Sequence, residues 1–297
     1  MKPTWSLKMI TLCTVLTPIH NNYLDIFLES LVKNTKTISK ILIADTTTYR
    51  PREFFINLLK ENKEQELYNT TKKWKINNIE VERFEAPIHE NEFGHALGLH
   101  ACIDKTETEY IFFSDPDLFF YTAVDELYLN LKTKYNLEYI GCSHHSALAN
   151  AYGFFPYLVS SLVKKKDLPP KDFLKEHLYF KYGIIIAEQE QKDIKDVAPG
   201  KYLIGGPILE IKDELPNPKK SVLYDTGVNL CLWGIRNNWK WLSFQTLDCH
   251  LYTTKYYRTG NLKINERLPY QKLIWHSVRE DIKIMKQAYN EVDETND

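Results

Sequence analysis

Apolar and polar positions alternate with changing period along the chain. Met9–Thr17, MITLCTVLT, is a short β-branched run closed by Pro18, the pattern of a strand buried on both faces. In NNYLDIFLESLVKNT the residues Leu24, Phe27, Leu28, Leu31 and Val32 recur at helical spacing, with Asn21 or Asn22 placed to cap the helix. KILIADTTT returns to a short strand that ends at Asp45 in a Thr-rich turn. The charged, Asn-rich stretch from Lys60 to Asn78 predicts a solvated helix end and a loop, and Ile79–Phe84 alternates as a strand does. EFGHALGLHACIDKT reads as a helix after a loop and YIFF as a central strand. Val124, Leu127, Tyr128 and Leu131 then mark an amphipathic helix, and Glu138–Cys142 a further strand. This βαβα succession predicts an α/β fold, a mostly parallel sheet flanked by helices in a single domain.

The pattern weakens from Ser146 to Pro218, where aromatic, basic and polar loop-like segments follow one another. It recovers in Leu223–Phe244: Asp225 and Thr226 form a turn that opens a helix, Val228, Leu232 and Ile235 give it an apolar stripe, and WKWLSF is a strand. The last forty or so residues read as a helix fading into an acidic tail.

A length of 297 residues with 43% hydrophobic content is enough for a substantial core. The 38 basic side chains against 39 acidic ones give a net charge of −1, so no overall basic field favours nucleic acid or an anionic membrane. Any anionic ligand must therefore be held locally. Five cysteines, odd in number and set in apolar segments, favour buried free thiols in a reducing compartment. The apolar run Met9–Leu16 is too short for a bilayer span and lacks a signal-peptide cleavage pattern, so a cytoplasmic location is expected.

The most informative stretch is YIFFSDPDLFF, which sets Asp115 and Asp117 just past the carboxyl end of the central strand. Open α/β sheets bind ligands there. Pro116 cannot continue a ladder and enforces a turn. Two carboxylates in so tight a turn repel each other unless a hard divalent cation lies between them. An isolated D-x-D also occurs as an ordinary acidic turn, and it is the strand before it and the aromatic run after it that favour the metal reading.

Up to about residue 145 the succession ITLCTVLT, helix, ILIADTTT and GHALGLHACIDKTETEYIFFSDPD resembles the nucleotide-sugar-dependent glycosyltransferases of the GT-A (Rossmann-like) fold, in particular family 2-like enzymes. The resemblance implies a nucleotide-sugar-binding half over residues 8–120, an acceptor-binding and catalytic half over 121–255 and a C-terminal extension over 256–297. It implies a nucleotide diphosphate sugar as donor, a UDP-sugar by preference, a glycan or other hydroxyl-bearing acceptor, and transfer with inversion. It further implies that Thr14, Leu16 and Thr17 line the base pocket, that Asp45 bonds the base, that Asp115 faces ribose and metal, and that Asp117 ligates Mn2+ or Mg2+. ADTTT departs from the usual acidic pair followed by Gly-Ser, leaving the base open, and a turn cap is the alternative reading of Asp45.

His95 sits at a helix start, where it can meet donor phosphate, or is structural; His100 reads as structural. His144 and His145 follow a strand end but have no fourth zinc ligand at a usual spacing, and His145 suits an acceptor contact better. The resemblance also implies a general base at Asp225, which reads alternatively as a helix cap, and a late metal-binding histidine, assigned to His250 with His276 as second choice. Tyr152, Phe155 and Tyr157 suit either sugar stacking or a core, and Lys255 to Arg258 either a phosphate clamp or a basic turn. A sugar-1-phosphate nucleotidyltransferase shares the strand-end aspartates, but VLTPIHNN lacks its glycine-rich loop. A non-catalytic nucleotide- or glycan-binding module is the remaining alternative.

Overall fold

The structure is a computed structural model that describes residues 10–47, 70–86, 92–143, 155–169, 228–246, 250–277 and 282–294. The strands are β1 (Ile10–Leu16), β2 (Ile38–Asp45), β3 (Thr70–Ile76), β4 (Ile79–Glu85), β5 (Tyr110–Ser114), β6 (Leu118–Phe120), β7 (Tyr139–Cys142), β8 (Ser160–Lys164), β9 (Trp241–Thr246), β10 (Leu251–Gly260) and β11 (Lys272–His276). The α-helices are α1 (Leu24–Asn34), α2 (Glu92–Lys105), α3 (Val124–Tyr135), α4 (Val228–Arg236) and α5 (Ile282–Glu294). All eleven strands join one mixed α/β sheet in the order β3-β4-β2-β1-β5-β8-β7-β9-β10-β11-β6.

The parallel arrangement expected from βαβα holds from β4 through β2 and β1 to β5. Beyond β5 it gives way: β8, β10, β11 and β6 all pair antiparallel, and only β7 with β9 is parallel. Five strands, β3, β6, β8, β10 and β11, were not read as strands, and Lys255–Arg258, offered as a basic turn, lies inside one of them, β10. Thr70–Ile76, expected to be loop, pairs antiparallel with β4 through a tight turn at Asn77, whose φ is 53°. Its three lysines suit a strand at the edge of a sheet, where charge discourages further pairing, and they hide its alternation. Ser160–Lys164 lies in the stretch where the pattern weakened. The expected cap at Asn21 or Asn22 is absent because residues 18–23 form a 3-10 turn that runs straight into α1, leaving no free helix start.

Alternation along the strands divides the core in two. Leu12, Ile41, Ile43 and Phe112 face α1 and α3, whose Phe27, Leu31, Val124 and Tyr128 complete the main cluster. Cys13, Val15, Leu42, Ala44, Ile111 and Phe113 face Leu99 and Cys102 of α2 and Leu230 and Cys231 of α4. Strands covered on both faces have no solvent side, which is why they read as continuous apolar runs. Cys13, Cys102, Cys142 and Cys231 are buried free thiols, as expected; Cys249 lies outside the described residues. Among the described residues no helix is long and apolar enough to cross a membrane.

Between Ser114 of β5 and Leu118 of β6 lie only Asp115, Pro116 and Asp117. That connection reaches at most about 14 Å. In a flat sheet, six ladder steps from β5 to β6 would separate them by about 29 Å. The ladder from β5 to β6 therefore curls back on itself, and the aspartates sit where it closes.

The loop before β2 is held by one carboxylate. Asp125, fully buried in the first turn of α3, accepts at Oδ2 from the backbone N–H groups of Lys36 (2.9 Å), Thr37 (2.6 Å) and Ile38 (3.2 Å) and from the Thr37 hydroxyl (2.7 Å). Asp125→Ala strands these donors and is expected to cost about 3 kcal/mol. Urea unfolding with an unchanged m-value checks this; a loss below about 0.5 kcal/mol, the scale of an ordinary surface change, would show that the carboxylate holds nothing.

Candidate metal centre

The site is assembled by strand pairing. β6 pairs antiparallel with β11, so that His276 stands opposite Leu118, the residue after Asp117. The Ser277 N–H donates to the Asp117 carbonyl (2.8 Å) and its hydroxyl to Asp117 Oδ2 (2.7 Å). On the other side of the turn the Asp115 N–H donates to the Val159 carbonyl (3.0 Å). His276 Nε2 then lies 3.2 Å from Asp117 Oδ1 and 3.9 Å from Asp115 Oδ2, while His95 Nε2 reaches to 3.6 Å from Asp115 Oδ1. One ligand atom each from Asp115, Asp117 and His276 lies within 4.8 Å of the other two.

Asp117 is only 2% exposed. Burial alone would raise its pKa, but His276 beside it, then the charge of His20 and the Ser277 hydroxyl, bring it below the ordinary carboxylate range. The group is thus ionised and oriented. Beneath it the Tyr252 hydroxyl donates to the Ser143 carbonyl (2.8 Å), and burial, reinforced by Cys142, Asp115 and Asp117, keeps that phenol neutral. Two carboxylate oxygens and an imidazole nitrogen make a donor set that fits a divalent ion tolerating both oxygen and nitrogen. The Ser277 hydroxyl supplies the outer hydrogen bond that orients a ligating carboxylate.

α2 brings His95 to the site because Gly98 lets the helix lie close on the sheet. A Cβ there would stand 2.9 Å from Ala44 Cβ and Val15 Cγ2. His100, further along, is buried, in keeping with a structural role.

His250 lies outside the ligand group: its Nδ1 meets the His276 carbonyl (2.9 Å) and its ring stacks on Trp275 at 5.0 Å, so it braces the strand that carries His276. Thr14 is fully buried in β1, its Oγ1 without a hydrogen-bond partner among the described residues. Leu16 is part of the main core, and its carbonyl accepts from the Thr46 N–H and hydroxyl. Thr17 Oγ1 meets His20 Nδ1 at 3.0 Å. Asp45 closes a turn through the Thr47 N–H (2.9 Å) and hydroxyl (2.6 Å), and its other oxygen takes Arg83 of β4 at 2.5 Å. Both oxygens are thereby engaged in the structural arrangement open to it as a turn cap. Phe155 packs among Tyr139, Trp239 and Trp241 in the core, and Tyr157 is partly buried against the main cluster. Asp225, His144, His145 and Tyr152 lie outside the described residues. His20 and Ser277 were not singled out from the sequence; Ser277 adjoins a named histidine, and nothing local marks His20.

No protein-family model and no curated protein sequence matches the chain. Solved structures similar to it include S. aureus TarS 1-349 in complex with UDP, at 12% identity and a TM-score of 0.36, over 56% of this chain and 49% of that one. The glycosyltransferase GlyE of Streptococcus pneumoniae TIGR4 is similar at 11% identity and 0.35, over 65% and 41%. The mannosyltransferase PcManGT from Pyrobaculum calidifontis in complex with GDP-Man and Mn2+ is similar at 10% and 0.36, over 62% and 51%. The match thus spans about half the length of these proteins or less.

The two histidines are separable by experiment. His276→Ala is expected to weaken Mn2+ binding, read by calorimetry, at least as much as the roughly 10–100-fold loss typical of an outer-shell change, and His250→Ala to weaken it less. The reverse order would move the ligand from β11 to the start of β10.

Proposed function

We propose that this chain is a metal-dependent glycosyltransferase of the GT-A type that moves a sugar from a nucleoside diphosphate sugar to an acceptor hydroxyl, with inversion at the anomeric carbon. The observation that carries this reading is the Asp115–Asp117–His276 group at the carboxyl end of β5, beside β1 at the centre of the parallel strands. Asp115 and Asp117 also belong to the stretch that carries the sequence resemblance, which supports a UDP-sugar as donor and a glycan as acceptor.

Asp115, Asp117 and His276 are the residues that would hold the cation, and imidazole among them favours Mn2+ over Mg2+. When bound there, a divalent ion neutralises charge on a departing nucleoside diphosphate. The Ser277 hydroxyl donates to Asp117 and fixes its carboxylate in orientation. His95, in the first turns of α2 and facing Asp115, is suited to a donor phosphate. Asp225, three residues ahead of α4, is the proposed base: it takes the acceptor hydroxyl's proton as that oxygen bonds to the anomeric carbon and the bond to the diphosphate oxygen breaks.

The test is nucleotide release from UDP-, GDP- and CMP-sugars with Mn2+, with Mg2+ and with EDTA. Slow, metal-dependent release that disappears in Asp117→Asn is expected, with Asp225→Asn slowing transfer while leaving metal-nucleotide affinity near native. Metal-dependent nucleotide binding without turnover on any donor would instead identify a binding module, and neither signal would reduce SDPD to an acidic turn.

A further inference from the structure

The chain as a whole is almost neutral, but one part of it is not. From Lys255 to Lys272, the second half of β10 and the loop leading into β11, there are five cations, Lys255, Arg258, Lys263, Arg267 and Lys272, and one carboxylate, Glu266. All five cations are exposed. Glu266 is already committed to Lys134 Nζ and the Tyr135 hydroxyl of α3. Two of the three large exposed hydrophobic residues in the described structure, Tyr256 (43%) and Tyr270 (58%), lie in the same segment, with Lys255 Nζ 5.1 Å from the Tyr256 ring centre.

The segment is built to hold this shape. The Thr254 N–H donates to the Gln271 carbonyl (3.0 Å), while Thr254 Oγ1 donates to the Pro269 carbonyl (2.5 Å) and accepts from the Gln271 N–H (2.8 Å). These bonds place Tyr270 beside the Lys255–Tyr256 step. At the far end Asn261 Nδ2 donates to the Trp239 carbonyl (3.1 Å) and the Thr259 hydroxyl to that of Leu262 (2.9 Å). Glu266 clips the loop to α3. A surface already ordered loses little entropy when it binds.

We propose that this hairpin is the docking surface for an acceptor of one chemical class, a polyanionic glycan bearing carboxylate, sulfate or phosphate groups. The proposal rests on the glycosyltransferase reading for the word acceptor, and on charge and ring placement for the rest. Phenol rings stack on sugar faces while their hydroxyls stay in water, and the surrounding cations match repeated negative charge. A lipid surface fits less well. The hairpin's aliphatic residues, Leu262, Ile264 and Leu268, are turned inward against the main core and leave no apolar wedge to insert. Position supports the same partner: Lys272 and His276 bound one strand, so the cations begin about 13 Å from the metal centre, a separation that a chain spans and a single sugar does not.

The experiment uses the full chain without donor, and measures calorimetric binding of polygalacturonate, dextran sulfate and neutral dextran, with co-sedimentation on phosphatidylglycerol and phosphatidylcholine vesicles alongside. Both polyanions are expected to bind, more weakly as salt rises, and neutral dextran to fail. Lys255→Ser/Lys263→Ser/Arg267→Ser is expected to weaken binding of the anionic glycans roughly tenfold or more. Tyr256→Ala/Tyr270→Ala should weaken polygalacturonate while leaving inorganic polyphosphate, which has no rings to stack, unchanged. Equal binding of polygalacturonate by native and tyrosine variants, or capture by anionic vesicles in place of glycans, would overturn the proposal. Donor hydrolysis is read separately. Glycan binding without any donor turnover would keep the surface and defeat the transferase reading, whereas turnover without glycan binding would defeat the surface alone.

Discussion

Three residues have to join two strands that stand six places apart in the ladder, and the form of the C-terminal half follows from that constraint. A connection of about 14 Å cannot cross a flat sheet of that width. The strands from β8 to β6 must curl until β6 returns to the end of β5, and twist of a single hand provides the curvature. Closure leaves Asp115 and Asp117 in a turn to which Ser277, the residue after β11, donates at the Asp117 carbonyl and carboxylate. Phe119 is stacked on Trp275 at 5.5 Å and met edge-on by Tyr289 of α5 at 5.3 Å. The C-terminal helix thus packs on the far side of the strand pair that carries the site.

Burial sets the electrostatics. An ionised carboxylate withdrawn from water is costly unless charge and hydrogen bonds compensate. Asp117 has the His276 imidazole 3.2 Å from one oxygen and the Ser277 hydroxyl donating to the other, and the two residues are consecutive in the chain. One strand and the residue after it therefore deliver both the imidazole and the hydroxyl that orients the carboxylate. In the core Tyr128 is stacked between Phe112 and Phe244, with its hydroxyl 3.2 Å from Cys142 Sγ.

How much of this was legible in the sequence depended on the range of the interaction. β1, α1, β2, β5 and the D-x-D turn were readable because the pattern that forms them is local and both faces are apolar. The nearness of His276 to the two aspartates was not, since it depends on β6 pairing with β11 across more than 150 residues, and a loop-closing contact leaves no periodic trace. Asp45 and Phe155 have partners that the local pattern does not reveal. Each has a residue type suited to a ligand, and Arg83 on β4 and the Trp239 and Trp241 rings, all distant in sequence, engage them in the fold. β3 escaped notice because lysines on an exposed edge strand erase the alternation that reveals strands elsewhere.

The near-zero net charge excluded a global basic field, and it also concealed a local one. Averaging over the chain hides the hairpin because acidic residues elsewhere offset it, yet solvent screening confines each charge to roughly 8–10 Å at moderate salt. Within that radius only neighbours count, and Lys255 Nζ lies 5.1 Å from the Tyr256 ring centre. β10 and β11 therefore carry two opposite electrostatic features on one antiparallel pair. At the end near His276 they border a part-exposed and a buried carboxylate that suit a cation, and at the other they present exposed cations that suit an anion. A rigid pair of strands fixes the spacing between these two regions, so a ligand that engages both must be extended and must carry its negative charge along its length.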